Sequence, residues 1–463
     1  MTQVIQNLQD KYLAEFVHNY NQRTNTSKQI AQKFRPYLAD NKAPEFFYPP
    51  LKELAYTLVC KRSSGSKLWD VDGNEYIDTI MGYGINLFGH NPPFVKQAID
   101  EQLDRGIQLG IQSEIVGEVA ALICELTQME RVAFSNTGTE AVMSAIRLAR
   151  TATNRHKIAL FSGSYHGHSD GTLVKTQTVD GTLHTVPRAL GVSPNIVKDV
   201  LVLEYGNSRS LDIIKDQESE LAAVLVEPVQ SRNPSLQPQE FLQQLRQLTK
   251  KAGIVLIFDE MITGFRIHPG GAQAWFGIEA DLATYGKIVG GGMPIGVIAG
   301  KAAYMDAIDG GMWSYGDASY PQVEKTCFAG THCKHPLAMA AARAVLKYLK
   351  SQGASLQQNL NQRTSQFTKA LNAYFEADGL PIQINHFGSL FEFAASESSA
   401  LSKDSDTPDI GLILLYYSLL HKGISLQGNG GFLSTAHTDE DLDRLIKAVK
   451  NSTRELRAAD FFV

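Results

Sequence analysis

Between residues 128 and 300 the chain alternates short apolar segments with segments that carry apolar residues at helical spacing. The predicted strands are Arg131–Phe134, Ile158–Phe161, Ala222–Val226, Ile254–Phe258 and Val297–Ala299, and the predicted helices are Thr139–Arg150 and Pro238–Ala252. Strands that alternate with helices form mostly parallel sheets, because each helix crosses between strands and covers a face of the sheet. We therefore predict an α/β fold with a mostly parallel central sheet and helices on both faces.

The length of the chain, 463 residues, exceeds the usual single domain of about 100 to 200 residues. Residues 1–80 are predicted to form an amphipathic helical arm followed by a hairpin over Lys67–Asp78, whose turn is Asp72-Gly73-Asn74. Residues 81–335 are predicted to form the large α/β domain.

Residues 336–463 are predicted to form a smaller carboxyl-terminal α+β domain. The segment begins with a helix-forming stretch, Leu337–Leu349, and alternates again around Ile382–Phe393 and Ile424–Thr435. The polar, serine-rich stretch Ser396–Pro408 is predicted to be a mobile surface loop.

The composition is typical of a globular protein and points away from several classes of partner. Hydrophobic residues make up 43% and charged residues 20%, and 43 basic against 48 acidic side chains give a net charge of −5. We expect no nucleic-acid partner. The sequence contains no apolar segment of about 18 residues, so we predict no membrane span. The four cysteines form no CxxC pair, which favours a reducing, cytoplasmic location and predicts no metal site.

Polar motifs follow the predicted strands directly. These motifs are Ser135–Thr139, Tyr165–His168, Glu227–Gln230 and Asp259-Glu260. Ligands of parallel sheets bind at the carboxyl ends of the strands. The four loops therefore predict one site at a single edge of the sheet.

Lys287 and Asp259 are the residues of this region with the most specific chemistry. Pyridoxal phosphate needs an amine that bonds to its aldehyde and a carboxylate that keeps its ring nitrogen protonated. The apolar neighbours of Lys287 favour a desolvated amine with a lowered pKa. Two alternatives stay open at this point: Lys287 is a solvated surface residue, and Asp259 caps a helix or pairs with Arg266.

The segment Ser135–Glu140 joins a strand to a helix, so its exposed N–H groups and the helix dipole suit a phosphate. The alternative is a simple capped helix with Thr137 or Thr139 as the N-cap.

In the next motif, Tyr165 could stack on a flat cofactor ring. The alternatives there are a core tyrosine beside surface histidines and, less well supported by the spacing, a zinc site at His166 and His168.

Taken in chain order, these motifs resemble the class III aminotransferases, and among them the branch of glutamate-1-semialdehyde aminomutase. The resemblance runs from Leu54 to Ala448 and includes Thr263–Arg266 and Gly290–Pro294. It implies fold type I, pyridoxal 5'-phosphate as cofactor, and a homodimer with active sites at the subunit interface.

The resemblance also implies a role for each site residue. Lys287 would hold the cofactor covalently and carry protons, and Asp259 would face its ring nitrogen. The other residues implied at the cofactor are Tyr165 as the stacking ring, Gly138 and Thr139 at the phosphate, Thr331 from the neighbouring subunit, Gln230 near the phenolic oxygen, and Thr137, His166 and Glu227.

Two segments depart from the aminomutase pattern, Gln230–Pro238 and Thr331–Pro336. Both are similar to aminotransferase domains of hybrid polyketide synthase–nonribosomal peptide synthetases, which aminate a β-keto acyl group on a phosphopantetheine thioester. Arg232 stands where many class III transaminases have a glutamate. It could meet the carboxylate of an amino donor or form a surface ion pair.

The leading hypothesis is an aminotransferase that moves an amino group from glutamate or glutamine to a β-keto acyl thioester on a carrier protein. The first alternative is glutamate-1-semialdehyde 2,1-aminomutase, which needs no separate donor. The second is a non-catalytic docking domain, against which Lys287 and Asp259 argue.

Overall fold

The structure is a computed structural model, and it describes residues 2–41, 49–179, 182–396 and 410–462. The surface loop predicted over Ser396–Pro408 lies, apart from its first residue, outside the described residues.

The helices and strands are numbered along the chain. The helices are α1 Thr2–Arg23, α2 Asn25–Phe34, α3 Met81–Gly84, α4 Pro93–Arg105, α5 Val116–Thr127, α6 Gly138–Thr153, α7 Pro194–Val197, α8 Ser208–Asp216, α9 Gln239–Ala252, α10 Gly271–Phe276, α11 Ala302–Met305, α12 Pro336–Gln352, α13 Ser355–Ala377, α14 Ile410–His421 and α15 Asp439–Ala458. The strands are β1 Cys60–Ser64, β2 Lys67–Asp70, β3 Glu75–Asp78, β4 Arg131–Ser135, β5 Lys157–Phe161, β6 Val174–Val179, β7 Thr182–Pro187, β8 Val200–Leu203, β9 Leu221–Val226, β10 Val255–Asp259, β11 Leu282–Tyr285, β12 Gly296–Gly300, β13 Ile382–Phe387, β14 Leu390–Ala395, β15 Ile424–Ser425 and β16 Gly430–Phe432.

The chain divides into two compact units. One consists of Met1–Pro92 together with Gln362–Val463, and the other of Pro93–Asn361. This division groups both ends of the chain in one unit, whereas the sequence analysis assigns residues 1–80 and 336–463 to separate domains. The three-domain division stays a prediction.

The unit Pro93–Asn361 contains a seven-stranded sheet in the order β4-β12-β11-β10-β9-β5-β8. Strands β11, β10, β9, β5 and β8 pair in parallel, whereas β12 runs antiparallel to both β11 and β4. The predicted mostly parallel sheet is confirmed. The antiparallel direction of β12 and the strands β8 and β11 were not predicted.

Burial explains why this sheet has helices around it. Every residue of β9 and β10 is buried, so both faces of the sheet centre are covered. Helix α6 packs on the sheet through small and branched residues, among them Ala141, Ala145 and Leu148, which share a core with Leu225 and Ile257. Dense packing of this kind fixes the ends of the strands, and therefore the loops that follow them.

The other unit is built on two smaller sheets. Its four-stranded sheet has the order β1-β2-β3-β15, and β2 and β3 pair antiparallel as the hairpin predicted over Lys67–Asp78. Its three-stranded sheet, β13-β14-β16, forms from the two carboxyl-terminal segments predicted to alternate. The amino-terminal arm is helical as predicted, with Tyr20 buried.

Within the described residues, no helix combines the length and the apolar character that crossing a membrane requires.

Candidate active site

Five loops of the unit Pro93–Asn361 carry the predicted site residues to one edge of the seven-stranded sheet. Parallel strands end at the same edge, and β11, β10, β9 and β5 are consecutive neighbours in the sheet. Asp259 is the last residue of β10, and Lys287 follows β11. Glu227 follows β9, and the fourth loop, Tyr165–His168, follows β5. The fifth loop joins β4 to α6 and contains Thr137.

Asp259 is a buried carboxylate with an extensive set of partners. Its Oδ2 lies 2.7 Å from His166 Nδ1, and its Oδ1 accepts hydrogen bonds from Thr284 Oγ1 at 3.1 Å and from Met261 N at 3.2 Å. Because an ionised carboxylate only accepts hydrogen bonds, His166 donates through Nδ1. The carboxylate has acceptor capacity for one further donor, as the protonated ring nitrogen of pyridoxal phosphate would require.

The partner that the structure gives Asp259 is therefore His166, through a buried hydrogen bond. The sequence alone leaves open a helix cap or a pair with Arg266 for this carboxylate. Both Asp259 and His166 are buried, with 3% and 2% of their surface exposed, and His166 Nε2 has no hydrogen-bond partner in the described structure. A buried charge with an unused polar atom nearby fits a site that receives a polar ligand.

Lys287 begins the short turn Lys287–Gly290 and adopts a left-handed backbone with φ of 43°. A positive φ is uncommon for a residue with a side chain, and such strain concentrates at functional sites. Burial lowers the pKa of the Lys287 amine, Asp259 opposes that shift, and Arg266 adds to it. The amine therefore has a larger neutral, nucleophilic fraction than a surface lysine.

The loop before α6 combines a capped helix with a close approach of Gly138 to Met261. Thr137 is the N-cap, and its hydroxyl accepts a hydrogen bond from Glu140 N at 3.2 Å. Thr137 therefore caps the helix, and its role at the cofactor stays a prediction. A Cβ on Gly138 would lie 2.8 Å from the Met261 sulfur, so this loop packs against the segment after Asp259. The first N–H groups of α6 remain suited to a phosphate.

The burial within the loop Tyr165–His168 is the opposite of what the core-tyrosine alternative requires, namely a buried tyrosine beside surface histidines. Tyr165 is 47% exposed, whereas His166 is buried. Gly167 has φ of 83°, and a Cβ there would lie 2.5 Å from Thr139 Oγ1, which also accepts a hydrogen bond from His168 N at 3.3 Å. The exposed ring of Tyr165 is available for the predicted stacking role.

Glu227 joins two loops of the site. Its Oε2 accepts from Tyr165 N at 2.9 Å, and its Oε1 accepts from Ser231 N at 3.3 Å and from Ser231 Oγ at 3.1 Å. Burial raises the pKa of Glu227, and His166 opposes that shift. The side chain therefore fixes the loop after β5 relative to the loop after β9.

The two remaining predicted residues have different surroundings. Gln230 is buried, and its Nε2 donates to Ser162 O at 2.8 Å. Thr331 is exposed, in a segment whose Gly330 approaches Asn136, since a Cβ on Gly330 would lie 3.1 Å from Asn136 Nδ2. The cofactor roles of both residues stay predictions.

Sequence reasoning missed two residues with structural importance here. Thr284 lies beside Asp259 in the parallel register of β11 and β10 and bonds to it. Only the order of the strands reveals this neighbour, and the sequence does not state that order. Arg188, close to Tyr165 and Arg232, was missed because it lies far from both in the sequence.

Residues 49–435 match the family described as aminotransferase class-III. The chain belongs to the class III aminotransferase family. Its fold is fold type I, and enzymes of this family use pyridoxal phosphate. The buried Asp259–His166 pair, the lysine with a lowered pKa and the N-terminus of α6 fit this cofactor.

Three similar proteins characterise this class III aminotransferase further. The glutamate-1-semialdehyde 2,1-aminomutase of Alkaliphilus oremlandii is 38% identical over 407 residues, which cover 86% of this chain and 91% of that protein. The ω-transaminase of Sphaerobacter thermophilus is 28% identical, with a TM-score of 0.83 and coverage of 93% and 98%. The β-phenylalanine aminotransferase of Variovorax paradoxus is 29% identical, with a TM-score of 0.81 and coverage of 97% and 98%.

These likenesses alter the ranking of the hypotheses for this class III aminotransferase. They favour the aminomutase alternative over the leading hypothesis of a carrier-bound acyl substrate, for which they offer no support. A non-catalytic docking domain gains no support either, because the chain is a pyridoxal-phosphate enzyme of this family.

Proposed function

We propose that this class III aminotransferase acts as a glutamate-1-semialdehyde 2,1-aminomutase, which moves an amino group between neighbouring carbons of one substrate. The observation that carries the proposal is the 38% identity to the Alkaliphilus oremlandii aminomutase over 86% of this chain and 91% of that protein. The geometry of Lys287 and Asp259 supports amino-group chemistry of this kind.

Each residue of the site has a defined task in this function. When bound, pyridoxal phosphate supplies an aldehyde for the amino group and a ring that accepts electrons. Lys287 would hold the cofactor covalently through Nζ, and its neutral amine could accept and return a proton. Asp259, held by His166 and Thr284, keeps a proton on the ring nitrogen.

The remaining groups hold and orient the cofactor. The N–H groups of Gly138 and Thr139 at the start of α6 bind its phosphate, because a helix N-terminus favours anions. Tyr165 stacks on the ring, and Glu227 fixes the backbone of that loop. Gln230 completes the site from the loop after β9.

The test is conversion of the substrate without an amino donor. The enzyme is incubated with glutamate-1-semialdehyde or 4,5-diaminovalerate, and 5-aminolevulinate is measured by mass spectrometry. We expect product from the unaltered chain and from Lys198→Ala, which changes an exposed lysine, and none from Lys287→Ala. If the unaltered chain forms no 5-aminolevulinate from either compound, the aminomutase proposal fails.

A second candidate function is transfer from glutamate or glutamine to a β-keto acyl thioester on a carrier protein. One observation favours it, the departure of residues 230–238 from the aminomutase pattern. Mass spectrometry of a β-ketoacyl carrier protein tests this function. A product that appears only with the donor would select this candidate over the aminomutase.

The active enzyme in this proposal is a homodimer, and Thr331 completes the site of the neighbouring subunit. Large apolar side chains in two segments support a covered face, because monomers rarely leave such residues exposed. Ile111 is 82% exposed, Met312 79% and Tyr315 90%.

We also place the enzyme in the cytoplasm, on the pattern of its cysteines.

Mixing two inactive variants tests the shared site. Lys287→Ala and Thr331→Ala chains are mixed, unfolded and refolded together, so that some dimers contain one of each. In such a dimer, one site has both Lys287 and the partner's Thr331 unaltered, and we expect activity above that of either variant alone. A monomeric mass by light scattering, or no gain on mixing, would count against the shared site.

A further inference from the structure

Arg232 lies over the ring of Tyr165, and a second arginine from a separate loop, Arg188, is within electrostatic range of both. Arg232 lies in the loop after β9, and its Cζ is 5.5 Å from the centroid of that ring. Arg188 directly follows β7 and lies close enough to Arg232 and Tyr165 to interact electrostatically with both. We infer that Arg188 and Arg232 together bind the carboxylate of the substrate, an inference that rests on the function proposed above.

The backbone holds both arginines in place. Arg188 N donates to Leu173 O at 2.9 Å, which closes the base of the β6–β7 hairpin. Arg232 lies in a turn in which Asn233 N donates to Gln230 O at 2.9 Å. These hydrogen bonds fix the backbone from which each arginine side chain extends.

Glu227 connects the loop that contains Arg232 to the loop that contains Tyr165. The same carboxylate that accepts from Tyr165 N also accepts from Ser231 N and Ser231 Oγ, next to Arg232. One buried side chain thus joins the backbone of the Tyr165 loop to Ser231, the residue before Arg232.

The charges around the pair call for an anion. In the described ranges of the chain, neither Arg188 nor Arg232 forms an ion pair with a carboxylate. Partial burial lowers the pKa of Arg188, and the like charge of Arg232 lowers it further. Two cations close together without a counter-charge repel each other, and a bound carboxylate would remove that cost. The surface ion pair predicted as an alternative for Arg232 is therefore absent from the described residues.

The pair is accessible, and its chemistry suits a carboxylate. Both arginines are exposed, and Arg232 also lines a cavity of about 300 Å³ with Gln230, Tyr205 and Glu204. Glu204 is the acid of this cavity, and its Oε2 accepts from Asn207 Nδ2 at 2.7 Å. A guanidinium presents paired N–H donors that match the two oxygens of a carboxylate. Glutamate-1-semialdehyde keeps one carboxylate, which this pair would hold.

Direct binding of a substrate-like acid tests the inference. The probes are levulinate, a five-carbon keto acid, and levulinamide, its uncharged amide, titrated calorimetrically into the cofactor-loaded enzyme. We expect levulinate to bind more tightly than the amide. Arg188→Ala and Arg232→Ala should each weaken levulinate binding roughly tenfold or more, because hydrogen bonds to charged groups contribute about 1.5–3 kcal/mol. Arg232→Lys should restore part of the loss.

The control is Arg209→Ala, which removes one exposed positive charge from the same unit. We expect it to leave levulinate binding unchanged, and we expect the amide to bind equally to all variants. Equal binding of levulinate to the unaltered enzyme and both alanine variants would overturn the inference, as would no binding at all. Tighter, arginine-dependent binding of methyl phosphate would also overturn it, because the pair would then be a phosphate site.

Turnover separates this inference from the proposed function. If the unaltered enzyme forms no 5-aminolevulinate but levulinate binding depends on both arginines, the aminomutase assignment fails and the carboxylate site stands. If the product forms and the two arginine variants show an unchanged KM, the carboxylate site fails and the proposed function stands.

Discussion

The Oδ2 atom of Asp259 lies 2.7 Å from Nδ1 of His166, and both side chains are buried. A buried carboxylate needs partners that compensate for the loss of water. His166, Thr284 and the backbone of Met261 supply three donors, and they fix the carboxylate at the end of β10. The orientation of Asp259 is therefore set by the protein itself, before any ligand binds.

Replacing Asp259 with asparagine removes its charge and keeps its shape. Because the charge is what would hold a proton on the cofactor ring, we expect Asp259→Asn to lower kcat by about 10²–10³-fold, the usual cost of losing one preorganised electrostatic group. Steady-state kinetics measures this effect. Asp212→Asn, on an exposed face of α8, serves as the control and should keep full activity. A kcat for Asp259→Asn within a few fold of the original would refute the assigned role.

The lowered pKa of Lys287 predicts how attachment of the cofactor depends on pH. Burial lowers this pKa, and the negative charge of Asp259 opposes that shift. The neutral amine is the reactive form, so the attachment rate should decline as pH falls through the lowered pKa, at a lower pH than for a free lysine amine. Stopped-flow absorbance of the cofactor-free enzyme mixed with pyridoxal phosphate measures the midpoint.

Asp259→Asn tests the sign of that electrostatic contribution. The variant lacks the charge that raises the pKa of Lys287, so the midpoint of the rate profile should move to still lower pH. Asp212→Asn should leave the midpoint where it is. A shift of the midpoint to higher pH in Asp259→Asn would contradict the electrostatic coupling between these two side chains.

Tyr165 should contribute to cofactor affinity through its ring rather than its hydroxyl. Aromatic stacking contributes about 0.5–1.5 kcal/mol, so Tyr165→Ala should raise the Kd for pyridoxal phosphate about two- to tenfold. Tyr165→Phe keeps the ring and should retain the original Kd. Fluorescence titration of the cofactor-free enzyme measures both values. Equal losses in the two variants would point to the hydroxyl instead.

Thr137 should stabilise the fold as the N-cap of α6. Thr137→Ala removes the acceptor for Glu140 N and should lower the free energy of unfolding by about 1 kcal/mol. Thr137→Ser keeps a hydroxyl that can cap the helix and should remain close to the original stability. Denaturant unfolding of the cofactor-free enzyme compares the three proteins, and an unchanged midpoint for Thr137→Ala would be inconsistent with the cap.

The strands of the central sheet could be predicted where their apolar runs are long and bounded. The predicted Ile254–Phe258 corresponds to β10, Val255–Asp259, and Ala222–Val226 to β9, Leu221–Val226. The four-residue strands β8 and β11 were missed because short runs carry little periodicity. The antiparallel direction of β12 depends on its path between β11 and β4, which no local pattern encodes.

The candidate site was predictable where one residue type has a specific chemistry. Lys287 and Asp259 could be selected because burying an amine or an acid in apolar surroundings costs free energy. Such a residue is therefore a candidate for a functional role. The partner of Asp259 was not predictable in the same way, since His166 reaches it through the tertiary fold. The convergence of Arg188 with Arg232 has the same origin, because two loops distant in sequence meet only in the folded chain.

The most direct test of the account is chemical fixation of the cofactor. The enzyme loaded with pyridoxal phosphate is reduced with borohydride, digested, and analysed by mass spectrometry. The account predicts one modified site, Lys287, with the modification absent from Lys287→Ala and present in Lys198→Ala. Modification at another lysine in the unaltered enzyme, or none at all, would contradict the central claim that Lys287 holds the cofactor.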